Sequence, residues 1–320
     1  MARKKREPEP PKEFESEEEK AVESDEDATE SSEDDPPTTK EPKDWLRFAF
    51  GKDTNHCLWG TEKTGWNHTN SSAAIEAYRN LNLERLYNIA LTREGDWIVT
   101  GKTKQGAPCV AYWDVKTGTI NISEAKAWVK SHEGYQKLFD KLVATECASV
   151  DAVSKARFTI GPNGSWWAKL SSGTHHHNLP PNLQTELADE AENNVHPEHV
   201  ALGVNGSYVV LWPESKVSWE LTGYDPLHER IRDREQAIVY VALSPWRNDL
   251  YFYVHADGLV LYNVPANVDD IDAYTNTYMQ RRAKTDGTTL TYTKSSQSSC
   301  CITTCFDLRA DMCRWRQCED

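Results

Sequence analysis

The chain has 320 residues, with 36 Lys and Arg against 50 Asp and Glu and a formal net charge of −14 at pH 7. Residues 1–43 hold eight basic and sixteen acidic residues, a net of −8 that leaves −6 for the rest of the chain. The body therefore lacks the basic surplus of a nucleic-acid-binding domain, and no nucleic-acid partner is expected. Its longest apolar run, the seven residues Ala237–Leu243, is far too short to span a membrane.

Residues 1–43 are predicted to be a disordered acidic tail. They consist mainly of Glu, Asp, Ser, Thr, Pro and Lys, with Phe14 as the one aromatic residue, so ordering them would bury too little surface to offset the entropy cost. The tail begins with a basic cluster of the kind that importins recognise, formed by Arg3, Lys4, Lys5 and Arg6. Because a charged N-terminus lacks the apolar segment of a secretory signal, we expect a nuclear or cytoplasmic location and no secretion by a signal peptide.

The rest of the chain is built from a repeated segment. Val200–Val210 aligns without gaps on Phe158–Ala168 and on Ile89–Val99, and weaker copies begin at Phe48 and Val241. The copy that begins at Val241 needs two extra residues to match the others. The five starts are separated by 41, 69, 42 and 41 residues, which indicates four equal units and one unit with an insertion.

Each unit is predicted to form a small antiparallel sheet. In the fourth unit Val200 and Leu202 alternate onto one face, and Asn205-Gly206 supplies the positive φ values of a tight hairpin turn before the chain returns as a second strand. A third strand is marked in every unit by an aromatic residue or His, namely Trp66, Trp113, His177, Trp219 and Tyr262. Because three short strands cannot cover their own apolar face, each unit must pack on its neighbours.

A short amphipathic helix follows the third strand in four of the units. The helical spacing is seen in the pairs Ile75/Tyr78, Leu183/Leu187, Leu227/Ile231 and Ile271/Tyr274. In the remaining unit, residues 116–150 are interpreted as an insert that is helical over 121–146. Its apolar face would be formed by Ala127, Trp128, Tyr135, Leu138, Phe139 and Leu142.

These features predict a mainly β protein with short helices, in which about five three-stranded repeats form a β-propeller-like array. The predicted domains are the disordered acidic tail over 1–43, the five-unit repeat domain over 44–283, and a Cys-rich, poorly ordered tail over 284–320. Two alternatives remain open, a degenerate sixth blade within the insert and an open solenoid in place of a closed ring.

The repeats also resemble known proteins. The segments Ala201–Tyr208 and Ile160–Trp166, followed by Trp219 and a short Leu-containing helix, resemble the repeats of uncharacterised propeller-like proteins of filamentous fungi. They are loosely similar to tectonin-type and WD40-like β-propellers over residues 48 to about 280, most specifically in the third and fourth units. The Trp-Asp dipeptide occurs once, at Trp113-Asp114, which departs from the WD40 pattern. The tectonin likeness implies glycan or protein binding on a face of a ring.

Two adjacent tryptophans are candidate ligand-binding residues. In a strand, Trp166 and Trp167 point to opposite sides, so one indole ring is expected to lie away from the core contact of its own sheet. That ring would serve as a platform for a ligand or fill an interface between two blades.

The run His175-His176-His177 is the second candidate. Alternation in a strand would place His175 and His177 on one face, where they could share a metal with His196 or His199 if the fold brings these residues together. The competing interpretation is a structural or surface role for the histidines. His175 and His176 are therefore candidate ligand-binding residues, and neither a metal site nor a cofactor is predicted.

The C-terminal cysteines form a separate group. Five of the eight cysteines lie within 19 residues, namely Cys300, Cys301, Cys305, Cys313 and Cys318. They show no paired Cys-x2-Cys spacing, and the segment that they span contains no His. A thiolate metal site, S-acylation of the Cys300-Cys301 pair and a tail of reduced, unpaired thiols all remain open.

No sequence motif of a known catalytic site is present. The carboxylates Asp114, Glu220 and Asp225 are candidates for a propeller-type glycosidase only in that they lie beside predicted strand ends. We therefore predict a non-catalytic recognition or scaffold protein that binds a protein partner through its propeller-like ring. The alternative is an intracellular tectonin-like lectin that binds glycans through repeated aromatic and polar residues.

Overall fold

A computed structural model describes residues 46–52, 55–60, 64–67, 72–122, 133–233, 238–255, 260–265, 291–295 and 301–307. All of them belong to the unit that spans residues 42–320. The acidic tail predicted over 1–43, together with its basic cluster Arg3, Lys4, Lys5 and Arg6, lies outside the described residues.

The described chain is mainly β and forms five small antiparallel sheets, which we number I to V in chain order. Sheet I contains β1 (Arg47–Phe50), β2 (His56–Trp59) and β3 (Thr64–Asn67). Sheet II contains β4 (Leu83–Leu91), β5 (Trp97–Thr103), β6 (Pro108–Asp114) and β7 (Thr119–Ile122). Sheet III contains β8 (Arg157–Ile160), β9 (Trp166–Leu170) and β10 (Gly173–His177). Sheet IV contains β11 (His199–Leu202), β12 (Tyr208–Leu211) and β13 (Val217–Glu220). Sheet V contains β14 (Ile238–Leu243), β15 (Tyr251–His255), β16 (Val260–Pro265), β17 (Thr291–Ser295) and β18 (Cys301–Asp307).

Five short helices connect these sheets in the described part of the chain. They are α1 (Ser72–Asn80), α2 (Glu133–Glu146), α3 (Val150–Lys155), α4 (Pro181–Glu192) and α5 (Asp225–Asp233). Among the described residues, no helix is long and apolar enough to cross a membrane.

The repeat units correspond to the sheets. All five repeat starts lie on the first strand of a sheet, and all five markers of the third strand lie on β3, β6, β10, β13 and β16. The turn predicted at Asn205-Gly206 is confirmed, since these residues have φ values of 56° and 77°. Ser207 N donates to Val204 O at 2.9 Å across that turn, as a type I′ hairpin requires. The same turn recurs at Asn163-Gly164.

Each sheet packs on the next through its own apolar core. The helices complete four of these cores, with Ala74 of α1 between sheets I and II, Leu138 of α2 between II and III, Leu183 of α4 between III and IV, and Leu227 of α5 between IV and V. A fifth core joins sheet V to sheet I, where the rings of Phe48 and Phe252 stack at 5.3 Å. The first strands accordingly contact one another in the order β1, β4, β8, β11, β14, and β14 also contacts β1.

Two parts of the structure differ from the sequence prediction. The predicted helix over 121–146 is wrong at its beginning, because β7 continues to Ile122 and adds a fourth strand to sheet II. The later part is correct, since α2 buries Tyr135, Leu138, Phe139 and Leu142. Sheet V is also larger than predicted, because β18 pairs with β16, and β17 pairs with β18. Both strands lie in the segment 284–320 that the sequence analysis expected to be poorly ordered, and the β-branched run Ile302-Thr303-Thr304 favours an extended conformation there.

Candidate functional site

Five structurally equivalent residues lie on the first strands of the five sheets. Each directly precedes a repeat start, and we call them the collar residues: Arg47, Asn88, Arg157, His199 and Tyr240. They comprise two arginines, an asparagine, a histidine and a tyrosine, which the repeat places in the same register. Asn88 is buried and the other four are half-buried.

Most of the collar residues bind the backbone of the next sheet. Asn88 Nδ2 donates to Phe158 O at 2.9 Å, and His199 Nε2 lies 2.7 Å from Val241 O. Tyr240 Oη donates to Phe48 O at 2.6 Å and so joins sheet V to sheet I. In each case the acceptor carbonyl belongs to the first residue of a repeat. These bonds hold neighbouring first strands together through different functional groups that share one geometric role.

The two arginines of the collar are the exceptions to this pattern. Arg47 Nη1 donates to Tyr87 O of sheet II at 3.0 Å, two residues before the equivalent acceptor. Arg157 Nη1 donates to Ser154 O and Ala156 O, both at 2.9 Å and both just before its own strand.

His199 is neutral at physiological pH. Its Nε2 must carry the proton, because a backbone carbonyl only accepts a hydrogen bond. Burial lowers the pKa of His199 to about 4, and the positive charges of Arg47 and Arg157 contribute to the lowering, whereas the bond to Val241 O opposes it. The effect of both guanidinium groups on one imidazole shows that the collar brings them to the same region.

The collar is therefore positively charged at neutral pH. Arg47 and Arg157 carry permanent charges, while the other three collar residues are uncharged. A half-buried guanidinium binds carboxylate and phosphate groups well, because its planar donors match their oxygens and its charge is weakly hydrated.

The first strands of all five sheets line a cavity, which we call the axial cavity. Its wall includes Phe48 of sheet I, Ile89 of sheet II, Phe158 of sheet III, Ala201 of sheet IV and Ala242 of sheet V. The cavity measures about 40 Å³, which is room for a water molecule or two and far below the roughly 300 Å³ of a typical small-molecule pocket. The axial cavity therefore has no room for a substrate.

The loop between β14 and β15 closes one end of the axial cavity. In the other sheets the bond that closes this loop spans five residues, as in Gly203 N to Ser207 O, whereas here it runs from Ser244 N to Leu250 O. The two extra residues found in the sequence thus lie in this loop. Pro245 lines the axial cavity, and Trp246 packs against the core between sheets II and III although its loop belongs to sheet V. The insertion therefore crosses the end of the cavity.

The candidate tryptophans are both buried. Trp166 is 1% exposed and lies in the core between sheets II and III, while Trp167 is fully buried between sheets III and IV. Of the two interpretations offered by the sequence, filling of the interfaces describes their positions. Neither indole ring presents a face to solvent.

The histidine run forms the outer strand of sheet III. His176 is exposed and His175 and His177 are half-buried, with His175 Nε2 at 2.8 Å from Ser172 Oγ. Burial lowers the pKa values of His175 and His176. His199 lies on the first strand of sheet IV, and no group of three potential metal ligands among His, Cys, Asp and Glu is found among the described residues.

The candidate carboxylates have local roles. Asp114 Oδ1 accepts from Lys116 N at 2.8 Å and so caps the turn after β6. Glu220 accepts from Asn182 Nδ2 at 2.9 Å, and Asp225 begins α5. Asp114 belongs to sheet II and Glu220 to sheet IV.

The collar was not found from the sequence, although the repeat alignment contains the signal for it. The five collar residues occupy one column of that alignment, but only Arg47 and Arg157 share a residue type, so the column does not stand out as functional. Among the C-terminal cysteines, Cys301 and Cys305 fall on β18, and Cys300, Cys313 and Cys318 lie outside the described residues. No family model matches the chain, and neither a curated protein nor a solved structure is similar to it at a significant level.

Proposed function

We propose that the chain is a five-bladed β-propeller that acts as a non-catalytic recognition protein and binds a protein partner through one face of its ring. The ring is supported by the cyclic order of the contacts between first strands and by the core that joins sheet V to sheet I. These contacts favour a closed ring over an open solenoid, and five sheets favour five blades over six.

The observation that carries the proposal is the pair of half-buried arginines in the collar. Arg47 and Arg157 place two permanent positive charges where the first strands begin, on a protein whose net charge is −14. Such a local reversal of charge attracts an acidic segment of a partner and orients it as it approaches. We therefore assign the acidic contact of the partner to the collar.

Two features disfavour the other functions considered from the sequence. The axial cavity of about 40 Å³ leaves no space for a reacting substrate. Trp97 and Trp166, which occupy equivalent places in two of the repeats, are at most 1% exposed, whereas a lectin needs exposed ring faces for its sugars. Recognition through the faces of the ring remains the function that the geometry supports best.

The test is quantitative affinity capture with the full chain. Arg157→Gln removes one collar charge, and Lys155→Gln is the matched control, because Lys155 is an exposed cation two residues away. We expect the wild type and Lys155→Gln to retain the same partner and Arg157→Gln to lose most of it. The retention should also fall as salt is added.

Two results would contradict the proposal. If all three proteins capture the same amount of partner, the collar does not contact the partner. Saturable, sugar-competed binding on a glycan array, without a captured protein, would show that the chain is a lectin and not a protein-binding scaffold. Circular dichroism of each variant checks that the fold is intact.

A further inference from the structure

Sheet II is longer than the other sheets at the amino end of its first strand. β1, β8 and β11 each begin at their collar residue, and β14 begins two residues before Tyr240, whereas β4 begins at Leu83, five residues before Asn88. The extra residues of β4 pair with β5. At about 3.3 Å per residue, they carry sheet II roughly 15 Å past Asn88. We call residues 83–87 of β4 the projection.

A β-bulge lies where the projection meets the collar. Leu86 pairs with Gly101 and Asn88 pairs with the next residue of β5, Thr100, so Tyr87 is the extra residue of the bulge. A bulge interrupts the regular alternation of side chains and is common beside functional sites. Tyr87 and Asn88 accordingly both face sheet III, since Tyr87 packs against the core between sheets II and III and Asn88 bonds to the backbone of sheet III.

Tyr87 is contacted by two arginines from different sheets. Its carbonyl oxygen accepts from Arg47 Nη1 at 3.0 Å and from Trp59 Nε1 at 3.4 Å. The guanidinium of Arg85 lies over its ring, with the Cζ atom 5.7 Å from the ring centroid. Arg85 is an exposed residue of the projection. Tyr87 thus joins a guanidinium of the collar to a guanidinium of the projection.

The contact with Tyr87 orients Arg85 without neutralising it. A cation–π contact restrains a guanidinium but cancels none of its charge, and the five N–H donors of an arginine can serve more than one partner. The carboxylate next to Arg85 in the sequence, Glu84, forms an ion pair with Lys102 at 2.8 Å. Arg85 therefore extends the positive charge of the collar along sheet II.

We propose that the partner of the ring binds through an extended acidic segment that crosses Tyr87 and contacts Arg47 and Arg85 together. This inference rests on the proposed function, which assigns an acidic contact to the collar, and it names the form of that contact. An extended segment covers about 3.3 Å per residue, so about five residues are long enough to reach from one guanidinium to the other. The carboxylates of Asp or Glu match the planar donors of both arginines.

The test is a fluorescence-anisotropy titration of the full chain with two labelled ten-residue peptides. One peptide repeats Ser-Glu five times, and the other repeats Ser-Gln five times and has the same length without the charge. Arg85→Gln removes the guanidinium of the projection. Arg93→Gln is the matched control, because Arg93 is also an exposed arginine and lies in the turn at the opposite end of the same β4–β5 hairpin.

We expect Arg85→Gln to bind the Ser-Glu peptide roughly three- to tenfold more weakly than the wild type, because one charge-assisted contact is lost. Arg93→Gln should bind this peptide as the wild type does, and the Ser-Gln peptide should not bind. Arg85→Lys keeps the charge but not the planar donors, so it should recover only part of the affinity. The differences between the proteins should shrink as salt is added.

The same titration with Arg157→Gln separates this inference from the proposed function. If Arg157→Gln weakens the binding but Arg85→Gln binds like Arg93→Gln, the collar keeps its role and the contact with Arg85 is wrong. If the wild type binds neither peptide, or binds both equally, an acidic segment is not what the surface recognises, and the inference is overturned. Circular dichroism of each variant checks that the fold is intact.

Discussion

The contact between sheets V and I can be tested with the single substitution Tyr240→Phe. Tyr240 Oη donates to Phe48 O at 2.6 Å and accepts from Phe48 N at 3.4 Å, across 192 residues of sequence. The substitution removes both bonds and keeps the ring, which packs against Phe252 with the ring centroids 6.4 Å apart. A lost neutral hydrogen bond and a half-buried carbonyl left without its donor together cost about 1–3 kcal/mol.

The assay is urea unfolding, with the stability calculated from the midpoint at a constant denaturant slope. Tyr87→Phe is the matched control, because Tyr87 is also half-buried on a first strand and its hydroxyl makes no hydrogen bond with the described residues. The control should change the free energy of unfolding by less than about 0.5 kcal/mol. If Tyr240→Phe loses no more stability than Tyr87→Phe, the hydrogen bond does not hold the two sheets together, and only the apolar core joins sheet V to sheet I.

Three further changes test other parts of the structure. Gly203→Ala should lower the free energy of unfolding by roughly 1–3 kcal/mol, because its Cβ would meet Tyr224 Oη at 2.7 Å; an unchanged urea midpoint would show that the tyrosine can move aside. Lowering the pH from 7 to 4 should weaken the fold, because the pKa of His199 is lowered to about 4, and the unfolded chain, with a pKa near 6.5, takes up this proton first. The loss of folding free energy due to His199 reaches at most about 3 kcal/mol and levels off below pH 4. His199→Gln should therefore lose less stability between pH 7 and pH 4 than the wild type. Parallel curves of stability against pH would contradict the lowered pKa of His199. Replacing Glu214 and Ser215, which have φ values of 59° and 62°, by Asn-Gly should stabilise the hairpin between β12 and β13 by about 1 kcal/mol, and an unchanged melting temperature would count against strain at this turn.

The repeat made much of the fold predictable. The alignment of the five repeat starts placed all five first strands, and Asn205-Gly206 identified its turn, because only a few residue types tolerate two successive positive φ values. The turn at Glu214-Ser215 has the same conformation but uses residues that carry no such signal. Likewise Thr119–Ile122 alternates as a strand does, yet it borders a helical insert, and the helical interpretation was extended over its end.

The candidate sites were less predictable, because they depend on contacts between distant residues. The alternation of Trp166 and Trp167 was right, but only packing between sheets decides that both rings are buried. The hydrogen bond from Asn263 Nδ2 to Asp249 Oδ2 joins a strand to a loop 14 residues earlier, and no local pattern indicates it. The two extra residues of the fifth unit were visible in the sequence. Their effect, which is to carry Trp246 across the axial cavity, was not.

The contact between the first and last sheets also constrains how the chain can fold as it is synthesised. The apolar face of sheet I that carries Phe48 is covered by sheet V, and the bond from Tyr240 comes 192 residues later. At the usual 5–20 residues per second, a ribosome needs roughly 10–40 s to produce that distance. During this interval the face is uncovered on the nascent chain and is a target for chaperones, so the first sheet to be synthesised completes its packing only after the last sheet has emerged.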